Sequence, residues 1–178
     1  MIMAGGSGGA PGPRRVFVTS DPVGVLDVDS TMSANQSCQQ IADVNVNTAG
    51  GTWRAWISDL TIDAIDNIVS DGPWHRLDGE LVFDSKADIV DYNTDDLFHP
   101  IVIDQNLNNR DGEPVWTGTD PTGNANYVCA EGSDSWSNLS AEGAVYGIAG
   151  QTDANWTSAG LAMSACSMGE ARIYCFEQ

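Results

Sequence analysis

The sequence predicts an α+β domain. Two helical patterns stand early in the chain, many short β-type runs follow, and the segments between those runs are long and polar. Of 178 residues, 42% are hydrophobic, enough for a real core and against a wholly disordered chain. The organisation expected is a Gly/Pro-rich tail or interaction arm over 1–14 and one domain over 15–178.

The elements are read in order. Residues 4–15, AGGSGGAPGPRR, form a linker too poor in apolar groups to order itself. Val16-Phe17-Val18-Thr19 is an apolar, β-branched strand. Residues 30–44 predict a helix capped by Ser30 or Ser33, with Cys38, Ile41 and Ala42 on one face. Gly50-Gly51 breaks the chain before a strand over Trp53–Ser58. The run Asp59–Val69 predicts a second helix with Ile62, Ile65 and Val69 on one face and Asp63 and Asp66 near the other, ended by Asp71-Gly72-Pro73. Asp78-Gly79 between Trp74–Leu77 and Glu80–Phe83 signals a hairpin. Pro100–Ile103, Val115–Gly118, Tyr127–Cys129 and Ala171–Phe176 are further strand candidates. Residues 106–112 and 121–126 are polar turns. The chain carries no internal repeat.

Charge excludes several classes of partner. Asp and Glu number 25 against 7 Lys and Arg, a formal charge of −18. Phosphate backbones and anionic membrane surfaces need clustered cations, so neither nucleic acid nor a membrane surface is an expected partner. No run of about 18 apolar residues exists, so no membrane insertion is expected. Met1-Ile2-Met3-Ala4 shows neither the charged nor the apolar region of an export signal.

Four cysteines, Cys38, Cys129, Cys166 and Cys175, form no C-x-x-C pair and fit no zinc or redox spacing. An even count at wide spacing reads as two disulfides in an oxidising compartment, and three pairings are open. Loops this long contribute roughly 4–5 kcal/mol each in the chain-entropy model. Four buried free thiols are the alternative.

The order of several short motifs resembles a family of bacterial secreted domains of unassigned function, often carried on lipoproteins. Those motifs are Val16-Phe17-Val18-Thr19-Ser20, Cys38-Gln39, Gly51–Asp59, Asp63-Ala64-Ile65-Asp66, Asp78-Gly79, Val115–Thr119, Cys129, Asn155-Trp156-Thr157 and Tyr174–Gln178. The resemblance covers residues 15–178 and implies a C-type-lectin-like fold of the endostatin type: two helices, short antiparallel strands and paired terminal strands. It also implies two nested disulfides, Cys38–Cys175 and Cys129–Cys166. The acidic segment within 24–33 departs from the family's Gly-rich loop.

Candidate chemistry is sparse. Calcium-dependent sugar binding of the lectin type needs a carboxylate–carboxamide set. Here Glu113-Pro114 is followed by Val115, and no Asp follows Asn155, so no cofactor is expected. Loose Ca²⁺ binding on the acidic stretches 27–29 and 84–96 is the one exception entertained. Asp104-x-Asn106-x-Asn108 opens like an EF-hand loop, but Asn109 replaces the Gly and Val115 the final carboxylate. His75 and His99 are too few for zinc. No nucleophile motif is present, and Ser133, Ser135 and Ser137 read as a loop.

Six tryptophans remain. Trp53, Trp56 and Trp116 read as core. Trp74 and Trp136 lie in turn-like, polar surroundings; partial burial is the first reading, and the alternative is an indole that stacks on a sugar or anchors a partner. Trp74, Trp136 and Asp134 are therefore the candidate ligand residues. The expectation is a non-enzymatic, extracellular or cell-surface binding and adhesion domain for a glycan or protein, with a neutral glycan or basic partner preferred. A subunit that self-assembles through residues 1–14 is the second reading, and an acid-pair hydrolase the third. The sequons at Asn35, Asn138 and Asn155 offer acceptors if the source glycosylates.

Overall fold

The computed structural model describes residues 12–24, 28–91, 97–129, 136, 143–162 and 170–178, with backbone alone at 161–162. The expected arm falls almost wholly outside them, as do Asp134, Asn138 and Cys166.

The architecture is α+β, with one principal helix, two one-turn helices and small sheets among the described residues. Strand β1 (Arg14–Val18) starts one residue inside the expected tail. It is followed by β2 (Val23–Gly24), α1 (Thr31–Asp43), β3 (Trp53–Ala55), α2 (Ala64–Asn67), β4 (Trp74–Arg76), β5 (Leu81–Phe83) and α3 (Lys86–Ile89). Then come β6 (Pro114–Trp116), β7 (Ala144–Ile148), a 3-10 turn over Ala154–Trp156, β8 (Leu161–Ala162), β9 (Glu170–Ala171) and β10 (Tyr174–Glu177).

Five strands form the main sheet in the order β3-β10-β1-β4-β5. First and last strands pair antiparallel, with Val16 opposite Phe176 and Val18 opposite Tyr174. The β1–β4 pair is parallel, a departure from the all-antiparallel expectation. A second sheet runs β6-β7-β8, and β2 pairs β9.

Both faces of the main sheet are buried, which explains the unbroken apolar runs of β1 and β10. On one face Phe17, Trp53, Ala55 and Cys175 pack against Ala34, Cys38 and Ala42 of α1. On the other Val16, Val18, Tyr174 and Phe176 pack against Trp56, Trp74, Phe83 and Trp156. The Cys38–Cys175 disulfide crosses the first face, joining α1 to β10 with S–S 2.01 Å. The inner pairing, Cys129–Cys166, involves a residue outside the described set.

Hydrogen bonds from outside the sheet meet both of its outer edges. Along β3, the backbone N–H of Trp53 donates to Gln39 Oε1 and that of Ala55 to Asn35 Oδ1, while Asn67 Nδ2 donates to the Ala55 carbonyl. Amides from α1 and α2 thus occupy the edge that would otherwise add a strand. The amide of the Asn35 sequon is held at both ends, because its Nδ2 also donates to Asn67 Oδ1. At β5 the Val82 carbonyl accepts from the N–H of Phe98.

Helix α1 is capped as its sequence predicts. Ser30 and Ser33 form a reciprocal capping box, and Thr31, Ala34, Cys38 and Ala42 make the buried stripe. The second predicted helix is corrected. Only Ala64–Asn67 is helical, and Ile62 and Val69, expected on the buried face, are 40% and 60% exposed. The cause is local competition. Asp59 Oδ1 accepts the N–H groups of Thr61 and Ile62, and Ser58 Oγ accepts that of Ala64, so residues 59–63 form a turn instead. Two strand candidates are also corrected: Pro100–Ile103 and Tyr127–Cys129 make isolated bridges, at Ile103–Asn109 and Val128–Ala144. Tyr127 and Cys129 have φ of 50° and 49°, which no strand accommodates.

Candidate functional site

The two candidate tryptophans are in the interior. Trp74 is fully buried, its ring edge-on to Phe176 at 5.6 Å, and its Nε1 donates to the Glu177 carbonyl at 2.8 Å. Trp136 is also fully buried, edge-on to Trp116 at 5.5 Å, with Nε1 donating to the Ser58 carbonyl at 2.8 Å. Polar neighbours in sequence supply backbone acceptors for the indoles rather than marking solvent. Neither ring presents a face to a ligand, and the structure does not bring the pair together. Asp134, the third candidate, lies outside the described residues.

The lectin-like tripeptides have other partners. Glu113 lies 3.6 Å from Arg172. Asn155 turns back onto Asp153, Trp156 is core, and Thr157 Oγ1 accepts from Trp56 Nε1 at 2.7 Å. His99 stands between the Leu81 carbonyl and Glu80 on the β5 side of the hairpin, and His75 is on β4. Among the described residues no group of three or more His, Cys, Asp or Glu side chains converges as metal ligands would.

The EF-hand-like run is a closed turn. Asp104 Oδ1 accepts the N–H groups of Asn106 and Asn108, at 2.8 and 2.9 Å. Its Oδ2 takes Nε and Nη2 of Arg110, at 2.7 and 2.6 Å. Burial opposes ionisation of Asp104, but these hydrogen bonds and the guanidinium hold its carboxyl below the usual range. A cation's place is already filled by Arg110.

The same nine-residue turn recurs sixteen residues later, although the sequence carries no repeat. Residues 102–110 and 118–126 share five hydrogen bonds. In each the Asp N–H donates to the carbonyl four residues on and the Asp carbonyl accepts from the residue three on. In each the Asp Oδ1 accepts N–H groups two and four residues on, and the ninth residue's N–H returns to the first residue's carbonyl. The sixth residue of each turn has positive φ: Leu107 at 65° in the first and Gly123 at 83° in the second. The last residue differs: Arg110 in the first turn, Asn126 in the second.

The second turn borders an exposed aromatic ring. Tyr127 is 56% exposed, at φ 50°. Asn124 and Ala125 are exposed beside it, and the Ala125 N–H donates to Asp63 Oδ1 at 2.7 Å, docking the turn onto the start of α2. Ile62, 40% exposed, belongs to the adjoining 59–63 turn. The base beneath is rigid: a Cβ on Gly118 (φ 59°) would meet Trp136 and Val128, each at 2.7 Å. Positive φ on a non-glycine residue costs of order 1–3 kcal/mol and persists where its surroundings enforce it, a pattern frequent at functional sites. Tyr127 was read from the sequence as a strand residue. The one available signal was the D-x-T-x-N spacing at Asp120, matching D-x-N-x-N at Asp104.

Electrostatics around the site are one-sided. Each of the seven cationic side chains donates to a carbonyl or carboxylate of its own chain. Arg15, for example, grips Glu177 and lies over the Trp53 ring at 5.2 Å. The surface field is therefore set by carboxylates that outnumber internal cations.

No protein-family model matches this chain, and no curated protein is significantly similar to it.

Proposed function

We propose that the protein is an extracellular, non-enzymatic recognition domain of C-type-lectin-like, endostatin-type architecture, which binds a glycan or protein on a surface through the loop face at Asp120–Tyr127. The observation that carries this reading is Tyr127: an exposed aromatic ring held in a strained backbone conformation above a tightly packed base. A backbone already held in one conformation loses little further entropy when the aromatic side chain it carries stacks against a sugar or a partner side chain. Support for the architecture comes from the pairing of the terminal strands and from the disulfide joining the first helix to the last strand. A disulfide of that span suits an oxidising compartment. Asn124 and Asn126, close to Tyr127 in the chain, offer polar groups of the kind that give such a site directional contacts.

The test is binding of the full chain to an array of neutral and charged glycans and to basic peptides, repeated with Tyr127→Ala. Binding abolished by Tyr127→Ala at unchanged thermal stability supports the reading. Binding indifferent to that change, or turnover of a glycan in place of binding, overturns it.

A further inference from the structure

We propose that the Asp120 turn is a docking site for an arginine side chain of a different protein. This names the partner class for the recognition face above and rests on that reading for its biological setting.

The argument is internal to the molecule. The Asp104 and Asp120 turns are the same backbone device, each aiming a carboxylate whose Oδ1 is held by two N–H groups. In the first, the remaining oxygen carries the guanidinium of Arg110 through two of its nitrogens. In the second, the position equivalent to Arg110 is Asn126, and no described group reaches Asp120 Oδ2. The chain thus shows what this turn binds when an arginine is at hand, and displays a second copy of the turn without one. The exposed Tyr127 follows the turn directly in the chain, and an aromatic face suits a guanidinium plane. The arginine comes from outside the chain's own kind: all seven of its cationic side chains are engaged internally, so a second copy offers one only by giving up a contact of its own. The surplus of acid draws a basic segment toward the face, and the turn selects arginine within it.

The experiment titrates the full chain with amidated hexa-arginine and hexa-lysine by calorimetry, at about 50 mM and about 150 mM salt to separate diffuse attraction from the specific contact. The arginine peptide binds about tenfold more tightly than the lysine peptide, because only the fork can reproduce the two-nitrogen contact. Asp120→Asn keeps the Oδ1 acceptor that holds the turn and weakens arginine-peptide binding about tenfold. Asn126→Arg supplies the guanidinium internally, as Arg110 does, and blocks the peptide while leaving the fold intact. Asp43→Asn, at the end of α1, removes the same charge elsewhere and leaves binding unchanged. Equal binding of the two peptides, or equal weakening by Asp120→Asn and Asp43→Asn, reduces the effect to bulk charge and overturns the proposal. So does a peptide affinity untouched by Asn126→Arg. A glycan array without hits, beside selective arginine binding, removes the glycan arm of the functional reading and leaves this site standing.

Discussion

Asp59 Oδ2 accepts the backbone N–H of Thr31 at 2.9 Å, so the first residue of α1 is anchored by a carboxylate from the turn after β3. The other oxygen of the same group takes the N–H groups of Thr61 and Ile62 and the Thr61 hydroxyl. One buried acid therefore caps a helix N-terminus and shapes the turn that shortens the next helix.

That acid makes stability pH-dependent. Burial opposes its ionisation, but the hydrogen bonds from Thr61 and Thr31 outweigh it and hold the carboxyl at about 2 against an ordinary 3.8. A depressed pKa means that the ionised form is favoured in the folded state. Its contribution is complete above the ordinary value and is lost as pH falls through about 2. Urea midpoints measured between pH 5 and pH 2 are expected to fall, and to fall less steeply in Asp59→Asn. Asp59→Ala costs about 1–3 kcal/mol at neutral pH by leaving buried N–H groups unmet.

The tryptophans and Tyr127 separate stability from binding. Trp136→Ala and Trp74→Ala each empty a fully buried ring site and cost about 3–5 kcal/mol in denaturant titrations. Tyr127→Gly relieves a positive φ, is expected to stabilise by up to about 1 kcal/mol, and still abolishes ligand binding.

Thr157 holds a buried polar knot. Its Oγ1 accepts from Trp56 Nε1 and bonds Thr119 Oγ1 at 2.5 Å, and its carbonyl accepts from Thr117 Oγ1 at 2.6 Å. Thr157→Val keeps the shape but strands the indole N–H, a loss of about 1–3 kcal/mol that thermal melts would register. Thr157→Ser, which retains the acceptor, is expected to lose less.

The Cys38–Cys175 bond closes a loop with a sequence separation of 137. The double change Cys38→Ala, Cys175→Ala is expected to cost about 4–5 kcal/mol in the chain-entropy account, measured as a lower denaturant midpoint. Both half-cystines are fully buried, so reductant is expected to act on the native protein only as fast as it unfolds.

What was legible in the sequence is what local chemistry decides. The apolar runs of β1 and β10 announced buried strands. Ser30 and Ser33 announced the start of α1, and Asp78-Gly79 announced the β4–β5 hairpin.

The sequence alone determined the α+β class, the main helix and the terminal strands, because periodicity, capping and turn preference act within a few residues. Only the tertiary structure decided which polar neighbourhoods are wet. Trp74 and Trp136 sit among polar residues in the chain yet find carbonyls of Glu177 and Ser58 in the interior, while Tyr127, read as part of a strand, is turned outward. It also showed that the Asp104 and Asp120 segments fold into the same turn, which their differing sequences did not announce. Burial and pairing are properties of what folds alongside a residue, and that information is not carried by its neighbours in the chain.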